Sequence, residues 1–132
     1  MEETGQYSVL ICDDSPMVRK HLRETVTLIG AGSVYEAKNG CEAVEVCRQH
    51  RPQIVIMDII MPVKDGIQAL KEIVRMAPET KVIMVSSAGT DIHLKKTILL
   101  GAFDTIQKPI SEIIIRDIVT RAMLETAGST TS

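Results

Sequence analysis

An open α/β fold, three layers deep and doubly wound around five parallel strands, is predicted by three observations on this 132-residue chain. Strand-like apolar runs alternate with helix-like segments five times, the pattern of successive right-handed βαβ units. The fourth run, 81–87, is rich in Val, Ile and Met without polar alternation, as expected of a strand covered on both faces. Acids or a lysine close three of the runs, which suits the carboxyl-terminal sheet edge where such folds place ligands.

The first strand is expected over Tyr7–Cys12. Ser15 then supplies an N-cap and Pro16 a first helical residue. The helix continues over 17–29 with Val18, Leu22, Val26 and Ile29 on one face, until Gly30-Ala31-Gly32 stops it. A short strand follows over 33–38, and Asn39-Gly40 turns the chain into a helix from 41 to about 50. Arg51-Pro52 leads into the third strand, 53–57, closed by Asp58. Asp65-Gly66 precedes a helix over 67–76, ended by Pro78. After the fourth strand a weaker helix spans about 91–100, Gly101 stops it, and a fifth strand over 103–107 leads to Lys108-Pro109. The last helix runs from 110 to about 127, with Ile114, Ile115, Ile118, Val119 and Ala122 inward and Ile113 and Leu124 on the other side. Residues 128–132 read as a disordered tail, leaving 1–127 as one domain without repeat or inner linker.

Composition narrows the function classes. At 45% apolar and 24% charged residues, the chain has the makeup of an ordinary globular domain able to bury one core. A net charge of −2 and only three aromatic residues (Tyr7, Tyr35, Phe103) provide neither a phosphate-attracting field nor a base-stacking platform, so nucleic acid is not expected as a direct partner. No apolar stretch approaches the roughly 20 residues that span a bilayer, and the first residues lack a signal-peptide pattern. Cys12, Cys41 and Cys47 have no metal-ligand spacing, which points to reduced thiols in the cytoplasm. His21, His50 and His93 are scattered and read as surface or packing residues, and Lys95-Lys96 as a solvated face.

Asp13, Asp14, Asp58 and Lys108 carry the chemistry. One acid after a strand is often only a helix cap, but parallel neighbouring strands would bring all four groups to one edge. Each like-charge pair at about 4 Å costs on the order of 4 kcal/mol at an effective dielectric near 20. Three carboxylates facing one ammonium therefore call for a hard divalent cation, and oxygen ligands with retained waters suit Mg²⁺. A cation and Lys108 together would stabilise charge on an arriving phosphoryl group. Asp58, the lone acid on its strand, is the expected acceptor, forming an acyl phosphate while the acidic pair holds metal. Ser86-Ser87 ends the fourth strand, where a hydroxyl can donate to a phosphoryl oxygen. Lys108-Pro109 is a candidate cis peptide that would turn the lysine inward.

Taken in order, Val9-Leu10-Ile11-Cys12-Asp13-Asp14-Ser15, Asn39-Gly40-Cys41-Glu42-Ala43, Met57-Asp58-Ile59-Ile60-Met61-Pro62 with Asp65-Gly66, Val85-Ser86-Ser87-Ala88, Gly101-Ala102 and Lys108-Pro109 resemble the receiver domain of bacterial two-component response regulators. The resemblance covers about residues 8–124 and implies the flavodoxin-like strand order 2-1-3-4-5, which receivers share. It implies Asp58 as phosphoacceptor, with Asp14, Asp58 and the Ile60 carbonyl as Mg²⁺ ligands and Asp13 acting mainly through water. Ser86 matches the switch hydroxyl and Lys108 the lysine that pairs with the phosphoryl group. A histidine kinase would donate the phosphoryl, and small donors such as acetyl phosphate often substitute. Thr105 stands where relatives often carry the aromatic half of the switch, and Phe103 does not replace it in register. Ile60 and Ala88 flank the cleft as apolar residues, with consequences for access of the hydrolytic water.

In its length the chain resembles the single-domain chemotaxis regulators, and the resemblance implies a monomeric signalling protein that binds a motor switch or other output protein through its fourth helix, fifth strand and fifth helix. It would catalyse only its own phosphorylation and dephosphorylation. The receiver of a larger regulator, a methylesterase or transcription factor, is the alternative. A Mg²⁺-dependent phosphatase is disfavoured because Ile60 stands where such enzymes need a second acid. A flavin module is disfavoured because the acidic first loop would repel a phosphate.

Overall fold

The computed structural model describes residues 6–87 and 93–131. Five strands and five helices alternate: β1 (Tyr7–Cys12), α1 (Pro16–Leu28), β2 (Ala31–Ala37), α2 (Gly40–His50), β3 (Ile54–Asp58), α3 (Gly66–Met76), β4 (Lys81–Ser86), α4 (Leu94–Leu99), β5 (Asp104–Gln107) and α5 (Glu112–Thr131). All strand pairings are parallel, in the order β2-β1-β3-β4-β5.

Period-two alternation divides the strands between two cores. Leu10, Cys12, Val55, Met57, Val82 and Met84 face one way and pack with Ala43, Val44 and Cys47 of α2 and Ala69, Leu70 and Ile73 of α3. Val9, Ile11, Ile54, Ile56, Ile83 and Val85 face the other way, against Leu22 and Val26 of α1 and Ile115, Ile118, Val119 and Ala122 of α5. Because both faces are covered, the central strands are apolar at nearly every position, which is why β4 shows no alternation.

Caps set most helix starts. The Val18 amide donates to Ser15 Oγ at 3.3 Å, that of Glu42 to Asn39 Oδ1 at 2.8 Å, and that of Gln68 to Asp65 Oδ1 at 2.9 Å. Boundaries differ from expectation in several places. β2 begins at Ala31, because Gly30 alone ends the α1 turn and Ala31-Gly32 already run beside β1. α5 begins at Glu112, with the Ile113 amide donating to Ser111 Oγ at 3.2 Å. The expected disordered tail is corrected over 128–131: α5 continues to Thr131, since one glycine costs a helix only about 1 kcal/mol and no proline interrupts 112–131. Ile114, expected inward, is 46% exposed beside Ile113 at 79%, because the inward arc of α5 is filled by Ile115, Ile118, Val119 and Ala122. Residues 91–92 of the expected fourth helix, Ala88 and Ser132 lie outside the described residues.

Candidate functional site

Strand register assembles the site. Cys12 pairs with Met57, Asp58 with Val85, and Ser86 with Gln107, so the residues ending β1, β3, β4 and β5 meet at one edge. Asp13 and Asp58 are buried at 2% and 6% exposure, and Asp14 is exposed at the mouth. One carboxylate oxygen from each of Asp13, Asp14 and Asp58 lies within 4.8 Å of the others. Lys108 Nζ stands 3.2 Å from Asp13 Oδ2 and 3.2 Å from Asp58 Oδ2. The Lys108–Pro109 peptide is cis.

The two buried acids are held by backbone. Asp13 Oδ1 accepts from the Ser15 amide at 2.9 Å, and the Asp13 amide donates to Ala37 O at 3.1 Å. Asp58 Oδ1 accepts a long bond of 3.4 Å from the Ile60 amide. Gly66 packs so closely behind Asp58 that a Cβ there would lie 2.1 Å from the Asp58 carbonyl oxygen, while its amide donates to Ile59 O at 2.7 Å. Gly40 makes a similar approach to Lys64 O, 2.2 Å from where a Cβ would stand, joining the start of α2 to the β3–α3 loop. That loop also carries Val63 at φ 68°, a β-branched residue in the left-handed region.

Burial raises the Asp58 carboxyl above its ordinary value of 3.8, Lys108 pulls it back, and Asp13 raises it further. Burial works against the charged form of Lys108, but Asp58 and Asp13 outweigh it and hold the ammonium above 10.5. The fold thus keeps a carboxylate poorly stabilised and a lysine firmly charged in one cleft. Ser86 Oγ is fully buried and has no hydrogen-bond partner among the described residues. A buried hydroxyl without a partner among the described residues, on the sheet edge that carries the acids, fits an anion or a hydrated cation there. The hard oxygen donors of Asp13, Asp14 and Asp58 fit a divalent cation such as Mg²⁺.

The strand-end residues expected at the site, Asp13, Asp14, Asp58, Ser86 and Lys108, all come to this edge, and Ile60 lies on the loop directly after Asp58. Ser87 lies just past β4, half-buried, and Ala88 is outside the described residues. Thr105 is half-buried on β5, and its amide bonds Asp104 Oδ1. His50 stacks on Tyr35 with ring centroids 4.4 Å apart, a packing role as expected. His21 is nearer the site than its place in sequence implied. It lines a groove of about 250 Å³ with Met17, Val18, Lys108, Pro109 and Ile110. Arg19 was not singled out in the sequence; its guanidinium bonds the Asp13 carbonyl at 2.7 Å. That contact joins a side chain to a backbone carbonyl across the β1–α1 turn, which residue type and spacing do not reveal.

A doubly wound α/β domain with a buried aspartate, an acidic pair and a lysine at its carboxyl edge defines a class of phosphoacceptor signalling domains. The chain belongs to the response regulator receiver domain family, whose model matches residues 9–120 and whose general function is to accept a phosphoryl group. It is 43% identical over 101 residues to the chemotaxis protein CheY of Thermotoga maritima, covering 76% of this chain and 84% of that one. With CheY of Bacillus subtilis it shares 40% identity over 103 residues, covering 78% and 86%. Among solved structures, the receiver domain of AraT, a response regulator from Geobacillus stearothermophilus, superposes with a TM-score of 0.86 at 25% identity, over 94% of this chain and 98% of that one.

Proposed function

We propose that this chain, as a receiver domain over 1–127, accepts a phosphoryl group on Asp58 from a histidine kinase and uses it to switch the binding of an output protein, in chemotaxis or related signalling. The observation that carries this reading is the contact of Lys108 Nζ with both Asp58 and Asp13, beside the exposed Asp14. An Asp58 carboxylate oxygen attacks phosphorus as the bond from phosphorus to the phosphohistidine nitrogen breaks. The leaving nitrogen keeps the electron pair and takes up a proton. Lys108 stays protonated throughout and offsets charge on the transferred oxygens. Asp13, Asp14, Asp58 and the Ile60 carbonyl are the groups that would hold Mg²⁺. Bound there, Mg²⁺ supplies Lewis-acid neutralisation of phosphoryl charge.

The phosphoryl group adds about one negative charge and strong acceptor oxygens. Ser86 Oγ, with no partner among the described residues, donates to one of them, which moves the end of β4. Lys108 N bonds Ser86 O at 2.8 Å, so this movement reaches β5 directly. The exposed Ile98, Leu99, Ile113 and Ile114 of α4 and α5 form the surface that reads it. With Thr105 on β5 in place of an aromatic ring, the signal passes through backbone displacement. The chain works as a cytoplasmic monomer whose only catalysis is its own phosphorylation and dephosphorylation; its three cysteines are unpaired thiols, and among the described residues no helix is long and apolar enough to cross a membrane. Incubation with Mg²⁺ and acetyl phosphate tests the reading: intact mass rises by one phosphoryl group in the native chain and stays unchanged in Asp58→Asn. Equal gain in both would overturn it.

A further inference from the structure

We infer that Arg19 is a positioning residue for the acidic pair, holding the Asp13–Asp14 peptide in the geometry that binds a divalent cation; this rests on reading the pocket as a metal site. Arg19 lies one turn into α1 and is largely covered, with 17% of its side chain exposed. Its Nη1 donates to the Asp13 carbonyl oxygen at 2.7 Å, and its Nε donates to Glu36 Oε1 at 2.9 Å. Glu36 also meets Arg23, whose Nε lies 2.6 Å from its Oε2. With these contacts, every polar atom of Asp13 is engaged: the amide by Ala37, Oδ1 by Ser15, Oδ2 by Lys108 and the carbonyl by Arg19. Asp14 follows the pinned peptide directly and shows no such network of its own among the described residues. Its direction therefore depends on how firmly the preceding carbonyl is held.

Charge and position make opposite predictions for Arg19, which gives the inference a sign. A cation near a metal pocket repels the metal, so removing Arg19 for charge reasons alone would tighten Mg²⁺ binding. Loss of a group that orients a ligand weakens it, typically 10–100-fold for partners just outside the ligand shell. The planar guanidinium spans the carbonyl and the carboxylate at once, a bridge that one ammonium does not reproduce. Arg23 is the internal control. It shares Glu36 and bonds Val34 O at 3.2 Å, yet it has no bond to Asp13.

The test is calorimetric titration with MgCl2 of the native chain, Arg19→Ala, Arg19→Lys and Arg23→Ala, with acetyl phosphate labelling of each across a Mg²⁺ series. Arg19→Ala is expected to weaken Mg²⁺ binding about tenfold. It should raise the Mg²⁺ needed for half-maximal labelling while the saturated rate stays near native. Arg19→Lys should fall on the weak side, and Arg23→Ala within about twofold of native. Unchanged or tighter binding in Arg19→Ala, or equal weakening in Arg23→Ala, overturns the inference while leaving the phosphoacceptor reading intact. A native chain that binds no Mg²⁺ overturns both. If Arg19→Ala does not fold, Arg19→Lys decides by the same criterion.

Discussion

Lys108 Nζ stands 3.2 Å from Asp58 Oδ2, a contact between β3 and the turn after β5 that spans 50 positions in sequence. The same nitrogen reaches Asp13 Oδ2 at 3.2 Å, so one ammonium is the counterion of two buried acids. Replacing it with Met leaves both acids uncompensated. We expect Lys108→Met to lose about 1–2 kcal/mol in metal-free buffer, less than the loss for a fully buried pair because a quarter of the lysine side chain meets solvent. Chemical denaturation checks this, and Mg²⁺ should restore part of the loss while phosphorylation stays impaired.

The raised carboxyl of Asp58 has a consequence for pH dependence in chelated buffer. The folded state keeps its proton above the ordinary value of 3.8, so it binds more protons there than the unfolded chain. Stability from this group therefore falls as pH rises from 3.8 through the folded value, the reverse of the usual salt-bridged acid. Asp58→Asn should flatten that decline and be the more stable protein at neutral pH without metal. Thermal melts of both chains between pH 3.5 and about 7 in EDTA measure it.

Ser86 separates a functional hydroxyl from a structural one. Its Oγ is buried without a partner among the described residues, and an unsatisfied buried hydroxyl costs about 1 kcal/mol or more. Ser86→Ala should then raise the resting stability by about 1 kcal/mol. It should still accept phosphoryl on Asp58, yet lose the spectral change at β5 that beryllofluoride and Mg²⁺ are expected to produce in the native chain. Heteronuclear NMR reads both chains side by side.

Two backbone positions test how the loop after β3 aims Asp58. Gly66→Ala drives a methyl group against the Asp58 carbonyl, and we expect a loss of about 2–3 kcal/mol together with slower labelling by acetyl phosphate. Val63→Asn relieves a left-handed, exposed valine and should add about 1 kcal/mol of stability. Urea midpoints distinguish the two signs.

The architecture was legible because its signals are local and redundant. Ser15-Pro16, Asn39-Gly40 and Asp65-Gly66 each mark a helix start by side-chain capping, and the apolar runs between them leave no choice but parallel strands buried on both faces. The site was legible for a related reason: Asp58 and Ser86 end their strands and Asp13, Asp14 and Lys108 come just after theirs, so parallel pairing alone collects them. What escaped depends on register and approach. Arg19 reaches the Asp13 carbonyl and Glu36 of β2 at once, and Gly66 matters because α3 starts against the Asp58 carbonyl. Ile114 was misplaced because five apolar residues on α5 compete for a face that accommodates four.

Borohydride reduction addresses the central claim most directly, since it converts an aspartyl phosphate to homoserine and leaves a free carboxylate unchanged. After incubation with Mg²⁺ and acetyl phosphate, reduction and peptide mapping should find homoserine at position 58 alone. Homoserine at Asp13 or Asp14, or none at all in a chain shown to carry phosphoryl, would contradict the account.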